Sequence, residues 1–279
     1  MSAITVTRTA LAAALVAAPF AAPAQEAEGD VDALFEALLL PEVLGVMQQE
    51  GVGYGAEVGE DLFESAVSAS WSDGVAAIYD AERMEREVRA AFAEALEGED
   101  LAPMIEFFTE GAGRTAVALE LSAREAMLDE EVEEAAREAA ALAMADGTER
   151  SAQLERFVEA NDLVETNVVS AMNSNVAFYL GLMDGGALPA QLTEDQILAD
   201  VWGQEPEIRQ TTTEWIYSFL GLAYQPLSDE DLEAYTAFSE TEPGQTLNRA
   251  VFEAFDAPFE AISHDLGRLA AQYMVQQDI

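Results

Sequence analysis

Wherever apolar residues are dense in this chain, they recur three and four positions apart, which is the spacing of one helix face. Met84, Val88, Ala91, Phe92, Ala95 and Leu96 share such a face, and Leu154, Phe157, Val158, Leu163, Val164, Val168, Met172 and Val176 nearly share another. A half-buried strand needs alternation instead. Alternating β-branched runs are few, and no Asn-Gly or Asp-Gly turn joins two of them. The expected fold class is all-α. Thr193 with Gln196 and Ser228 with Asp231 have the capping-box spacing that opens a helix. Stops are expected at Asp146-Gly147, Gly185-Gly186, Pro206, Pro226 and Pro243-Gly244. This punctuation gives roughly nine or ten helices with short connections.

The N-terminus has the three-part plan of a secretory signal. Met1 to Thr9 carries one positive charge, Arg8, and Ala10 to Ala21 is an unbroken apolar run too short to span a bilayer. Ala22-Pro23-Ala24 then places small residues where a signal peptidase reads, and Glu26, Glu28 and Asp30 follow at once. Residues 1–24 are read as a signal peptide cleaved after Ala24, which makes the mature protein periplasmic or secreted. No later run resembles a membrane span. There is no cysteine, which removes disulfides, thiolate metal sites, thiol catalysis and a lipid-bearing cysteine together.

Charge narrows the partners. The 12 basic residues, all arginine, face 54 acidic ones, for a net charge of −42. Such a surface repels nucleic-acid phosphates and anionic headgroups, so no nucleic-acid partner is expected. Its self-repulsion is the kind that salt screens.

The chain also resembles itself. Shifted by 131 residues (227 minus 96), Leu96 to Ala123 aligns with Leu227 to Ala254 without a gap. Eight pairs are identical, including Leu101/Leu232, Phe107/Phe238, Gly113/Gly244 and Ala123/Ala254, against about two by chance. A weaker echo pairs Phe35 to Tyr54 with Ala160 to Tyr179. The expected organisation is two helical repeat units, 25–147 and 148–279, packed into one globular body. Phe107 and Phe238 are expected to be buried, and Gly113 and Gly244 to form the corner into the next helix. Neither unit is expected to stand alone, because each helix pair leaves an apolar face needing cover.

In the second unit, Leu227-Ser228-Asp229-Glu230-Asp231-Leu232, then Phe238, then Glu242-Pro243-Gly244-Gln245, resembles the signature of the exported bacterial family called domain of unknown function 2059. That signature runs from an acidic helix start through an aromatic pair and a Ser-Pro-x-Gly-Gln-like turn into a long helix. The second unit matches best, although its pair reads Phe238-Ser239; the first keeps Phe107-Phe108 but has Gly111-Ala112-Gly113-Arg114 at the turn. The resemblance implies a small helical fold and export, and no activity. Its structural candidates are Phe107, Gly113, Phe238, Pro243, Gly244 and Gln245.

Catalytic constellations are missing. The one histidine, His264, sits beside Asp265 and a turn from Arg268, and reads as a surface ion-pair residue. No Gly-x-Ser-x-Gly elbow, phosphate loop or calcium loop occurs. Asp129, Glu130, Glu131, Glu133 and Glu134 read as a solvated helix face, and Glu99-Asp100 and Glu230-Asp231 as charge at helix starts. The aromatics Trp202, Trp215, Tyr217, Phe219, Tyr224, Tyr235 and Phe238 read as core, with an apolar groove for peptide or lipid as the alternative. No catalytic, cofactor or metal residue is assigned. The expected function is an exported non-catalytic binding or interaction protein for a protein, peptide or apolar ligand. The alternative is a cofactor-free hydrolase using paired acidic residues, marked by two carboxylates in one pocket. The mature chain is expected to begin at Gln25. Mass spectrometry of exported protein checks this, and an intact Met1 outside the cytoplasm contradicts it.

Overall fold

Cap residues set the helix boundaries. In the computed structural model, which describes residues 22–62, 68–189 and 191–277, twelve helices follow one another. They are α1 (Ala22–Ala37), α2 (Leu40–Leu62), α3 (Ala69–Ile78), α4 (Ala81–Ala95), α5 (Ala102–Thr109), α6 (Gly111–Ala126), α7 (Glu130–Asp146), α8 (Glu149–Ala160), α9 (Leu163–Asp184), α10 (Glu194–Ala223), α11 (Asp229–Ser239) and α12 (Glu242–Gln277). No strand occurs among the described residues, so the fold is all-α. The apolar run Ala10 to Ala21, read from the sequence as part of a signal peptide, lies outside those residues.

Asp80 opens α4 by accepting from the Arg83 amide at 2.7 Å, and Ser228 opens α11 by accepting from that of Asp231 at 3.1 Å. Thr193 and Gln196 form the reciprocal box at the start of α10. Gly147, at φ +60°, ends α7 in the left-handed conformation that a glycine adopts without strain.

Pro206 does not stop a helix; it lies inside α10. A mid-helix proline loses one hydrogen bond, at a cost of about 3 kcal/mol. Packing on α9 offsets that cost: Val201 and Ile208, on either side of the proline, join Val168 and Met172 in one apolar cluster. Pro243 does not end a helix either. It stands in the first turn of α12, where its missing N–H has no intrahelical partner to lose.

Two larger apolar clusters hold the body together, and each draws on both halves of the chain. The first joins Phe35, Leu44, Trp71, Met84, Phe92 and Phe108 to Leu247, Ala254, Ile262 and Leu266 of α12. The second joins Leu154, Phe157, Leu220, Tyr224 and Leu232 to Ala116 and Ala123 of α6. Helix α4 packs on α12, and α10 packs on α6 and α7. The closest seam is between α9 and α12, where a Cβ on Gly267 would fall 2.1 Å from the Phe178 carbonyl oxygen.

Gly113 and Gly244 sit early in α6 and α12 and make the same close approach. A Cβ on Gly113 would lie 2.4 Å from the Phe107 carbonyl oxygen, and one on Gly244 would lie 2.1 Å from that of Phe238. Because the obstacle is backbone, Gly244→Ala is expected to destabilise by about 3 kcal/mol through overpacking. Gly221→Ala is the control: nothing lies within 4 Å of its Cβ in α10, so it should be neutral or stabilise by about 0.5–1 kcal/mol. Denaturant unfolding of the two variants reads the contrast.

A candidate ligand cavity between the two halves

The Phe107 and Phe238 rings stack on each other, 3° from parallel with centroids 4.0 Å apart. Both are half-buried rather than buried, because each spends one face on the other ring at the junction of the halves. Phe108, only 2 % exposed, is the member of the aromatic pair that enters the core. At the corresponding place Ser239 is small, is buried, and donates to the Tyr235 carbonyl at 3.0 Å. Gln245 braces the turn: its Nε2 donates to the carbonyls of Ala160 and Ser239, both at 2.7 Å, tying the end of α8 to the end of α11.

Beside this junction lies a cavity of about 530 Å³. Helix α6 supplies Val117, Glu120 and Arg124 to its wall, and α12 supplies Asn248, Val251 and Phe255 at positions exactly one shift of 131 away. Helix α9 adds a small polar face, Asn167, Ser170, Ala171 and Ser174, whose spacing places all four on one side. Trp215 and Phe219 of α10 stack with centroids 5.2 Å apart, as do Phe255 and Phe259 at 5.8 Å. Leu40, Val43 and Met47 of α2 complete an apolar side. A second hollow of about 630 Å³ lies between the alanine-rich face of α7 and α10.

The polar groups of the first cavity are few and mostly engaged. Tyr224 donates its hydroxyl to Glu120. Burial pushes the Glu120 carboxyl up from its ordinary value, and the tyrosine bond opposes that rise. Burial, then the neighbouring Glu120, raises the Tyr224 hydroxyl well above its usual range. Arg124 forms a two-point bond to Glu50 at 2.9 and 2.8 Å, and its guanidinium lies 5.8 Å from the Trp215 ring centre. Ser170 donates to Asp256 at 2.6 Å.

Several residues read from the sequence lie elsewhere. His264 contacts Asp184 on α9 at 3.1 Å, while its chain neighbour Asp265 faces Arg83 at 3.7 Å. Asp129 caps α7 by accepting from the Glu131 amide, and Glu133 and Glu134 pair with Arg137. Among the described residues, no group of three acidic or histidine side chains is placed to hold a metal. Of the aromatics read as core, Tyr224 is core and Trp202 is 62 % exposed. Trp215, Phe219, Tyr235 and Phe238 line the cavity. Glu120, Arg124 and Asp256 were not singled out from the sequence. A signal existed: Glu120 and Arg124 interrupt the apolar stripe of α6 that also carries Gly113, Ala116, Val117 and Ala123.

Fold and cavity together define an all-α body with a ligand-sized hollow beside the stacked rings of Phe107 and Phe238. Residues 82–141 match the family described as "Uncharacterized protein conserved in bacteria" (domain of unknown function 2059), so that stretch is similar to this family. The matched stretch runs from α4 into α7 and contains Phe107, Phe108 and Gly113. It thus falls on the first of the two similar segments, the one that keeps both aromatics. No curated protein and no solved structure matches the chain. No described helix is long and apolar enough to cross a membrane.

A group whose folded-state pKa is raised binds its proton more tightly when folded, so stability falls as pH climbs from the ordinary value of 4.5 towards the raised one. Glu120→Gln removes that fall and can still accept from Tyr224. The variant's melting temperature relative to the parent is expected to rise from pH 4.5 upward and to level off once the pH has passed the raised value. A difference that stays flat with pH would contradict the burial of Glu120 as its cause.

Proposed function

We propose that the protein is an exported, non-catalytic binding protein built from two repeat units, 25–147 and 148–279, that holds a small apolar ligand in the cavity between them. The observation that carries this reading is the cavity itself. Its volume of about 530 Å³ suits a small molecule, and its walls are mainly aromatic and aliphatic with a few polar groups. The repeat organisation is supported by the face-to-face contact of Phe107 with Phe238 and by the matching close approaches of Gly113 and Gly244. Export is supported by the charged, apolar and small-residue sequence of positions 1–24.

The hydrolase alternative draws on one observation, that Glu120 and Asp256 both line the cavity. Each instead holds a neighbouring hydroxyl, and no hydrogen bond joins the two among the described residues.

The test is titration of the full chain with N-phenyl-1-naphthylamine, a neutral dye that brightens in apolar surroundings. Binding is expected at micromolar concentration, and Val251→Trp, which fills the cavity, should abolish it while the far-UV spectrum stays helical. Dye binding unchanged by that substitution would place the ligand elsewhere and sink the proposal. A probe ester recovered hydrolysed, with the activity lost in Glu120→Gln, would favour the hydrolase.

A further inference from the structure

We propose that the cavity selects an organic cation, an amine or ammonium group on an apolar body, and rejects anions of the same size. This rests on the reading of the cavity as a binding site and adds the chemical class of the ligand.

The first argument is which hydrogen-bonding groups of the wall are already engaged. Of the wall's own side chains, Ser170 donates its hydroxyl to Asp256, and Glu120 accepts from Tyr224, which is not itself part of the lining. The side-chain amides of Asn161, Asn167 and Asn248 each donate to a main-chain carbonyl, at 2.9, 2.7 and 2.9 Å. The wall hydroxyls of Ser174 and Tyr235 make no hydrogen bond among the described residues and can either donate or accept, whereas the open oxygens of a charged carboxylate can only accept. Oε2 of Glu120 and Oδ2 of Asp256 take no hydrogen bond among the described residues, since the single bond to each carboxyl falls on its other oxygen. A ligand that donates fits such a wall, and one that only accepts leaves those oxygens unanswered.

The second argument is charge. Among the described residues, Arg124 is the one cationic side chain in the wall, and Glu50 neutralises it with two hydrogen bonds from outside the lining. Among those residues, the hydrogen bonds to the two carboxyl groups of the wall come from hydroxyls and none from a cation. Trp215, Phe219, Phe255 and Phe259 share the wall with them, and the ring quadrupole favours a cation at close range. Burial holds the Glu120 carboxyl towards its neutral form, and an ammonium brought beside it favours the charged form again. At longer range, the net charge of −42 raises the local concentration of cations and lowers that of anions.

The experiment compares three probes of one shape, 4-phenylbutylamine, 4-phenylbutanol and 4-phenylbutanoate, by calorimetric titration of the full chain at pH 7.5. Sodium chloride at 0.5 M screens attraction to the outer surface. The amine is expected to bind at least tenfold more tightly than the alcohol, and the carboxylate least well. Glu120→Gln or Asp256→Asn should remove most of the preference for the amine over the alcohol. Because both replacements keep size and shape, an unchanged far-UV spectrum and melting transition report that the fold is intact. Equal binding of amine and alcohol, both abolished by Val251→Trp, would overturn the cation assignment and leave the binding reading standing. A preference for the amine that survives both carboxyl substitutions would overturn it as surface attraction. Tighter binding of the carboxylate would overturn it in favour of Arg124. Failure of all three probes, together with failure of the neutral dye, would overturn both readings.

Discussion

The structure depends on one constraint: neither half covers all of its own apolar faces. Helix α12 closes the cluster containing Phe35, Met84 and Phe92, and α6 closes the one containing Phe157, Tyr224 and Leu232. An amphipathic helix pair has two sides to bury and one partner to bury them on, so a third element must come from elsewhere. Here each half lends it to the other. The stacked rings of Phe107 and Phe238 mark where the exchange is centred, and the cavity opens next to them because α6 and α12 present equivalent faces to the same space. A hollow at such a junction need not be filled by either half alone, which is one reason ligand sites collect where two units meet.

The two halves treat their long helices differently. In the first, a break at Met127–Asp129 separates α6 from α7, and Asp129 starts the new helix by accepting from the Glu131 amide. In the second, the position 131 residues beyond Met127 is Pro258, yet α12 runs through it. Packing decides between the outcomes. Helix α12 buries Leu247, Ala250 and Ala254 before the proline and Ile262 and Leu266 after it in one apolar cluster, and these contacts hold both sides of the proline in line. The contrast between α3–α4 and α10 has the same character: Asp80 caps a fresh helix in one, while α10 continues unbroken to Ala223.

Much of this was legible in the sequence because it is local. Apolar spacing foretold helices, and Thr193, Ser228 and Gly147 marked ends where hydroxyl caps and a left-handed glycine stand. Pro206 was misread because its tolerance comes from Val201 and Ile208 packing on α9, contacts that no window of sequence displays. Phe107 and Phe238 were rightly noticed, but their half-burial follows from meeting each other, which spacing alone does not reveal. The cavity was the least legible feature. Its wall takes side chains from residues 38 to 259, and only after folding do Glu120 and Asp256 stand out from a sequence with 54 acidic residues.

The exchange of helices also orders events in time. Helix α12 leaves the ribosome after every other member of the cluster it completes, so the first half cannot close its core before α12 has emerged. Residues such as Leu44, Met84 and Phe92 wait without their final cover until Leu247 to Leu266 arrive. Self-repulsion among the acidic side chains keeps that waiting chain apart from its neighbours. The first core is thus closed by the arrival of a single element, however early its other members were made.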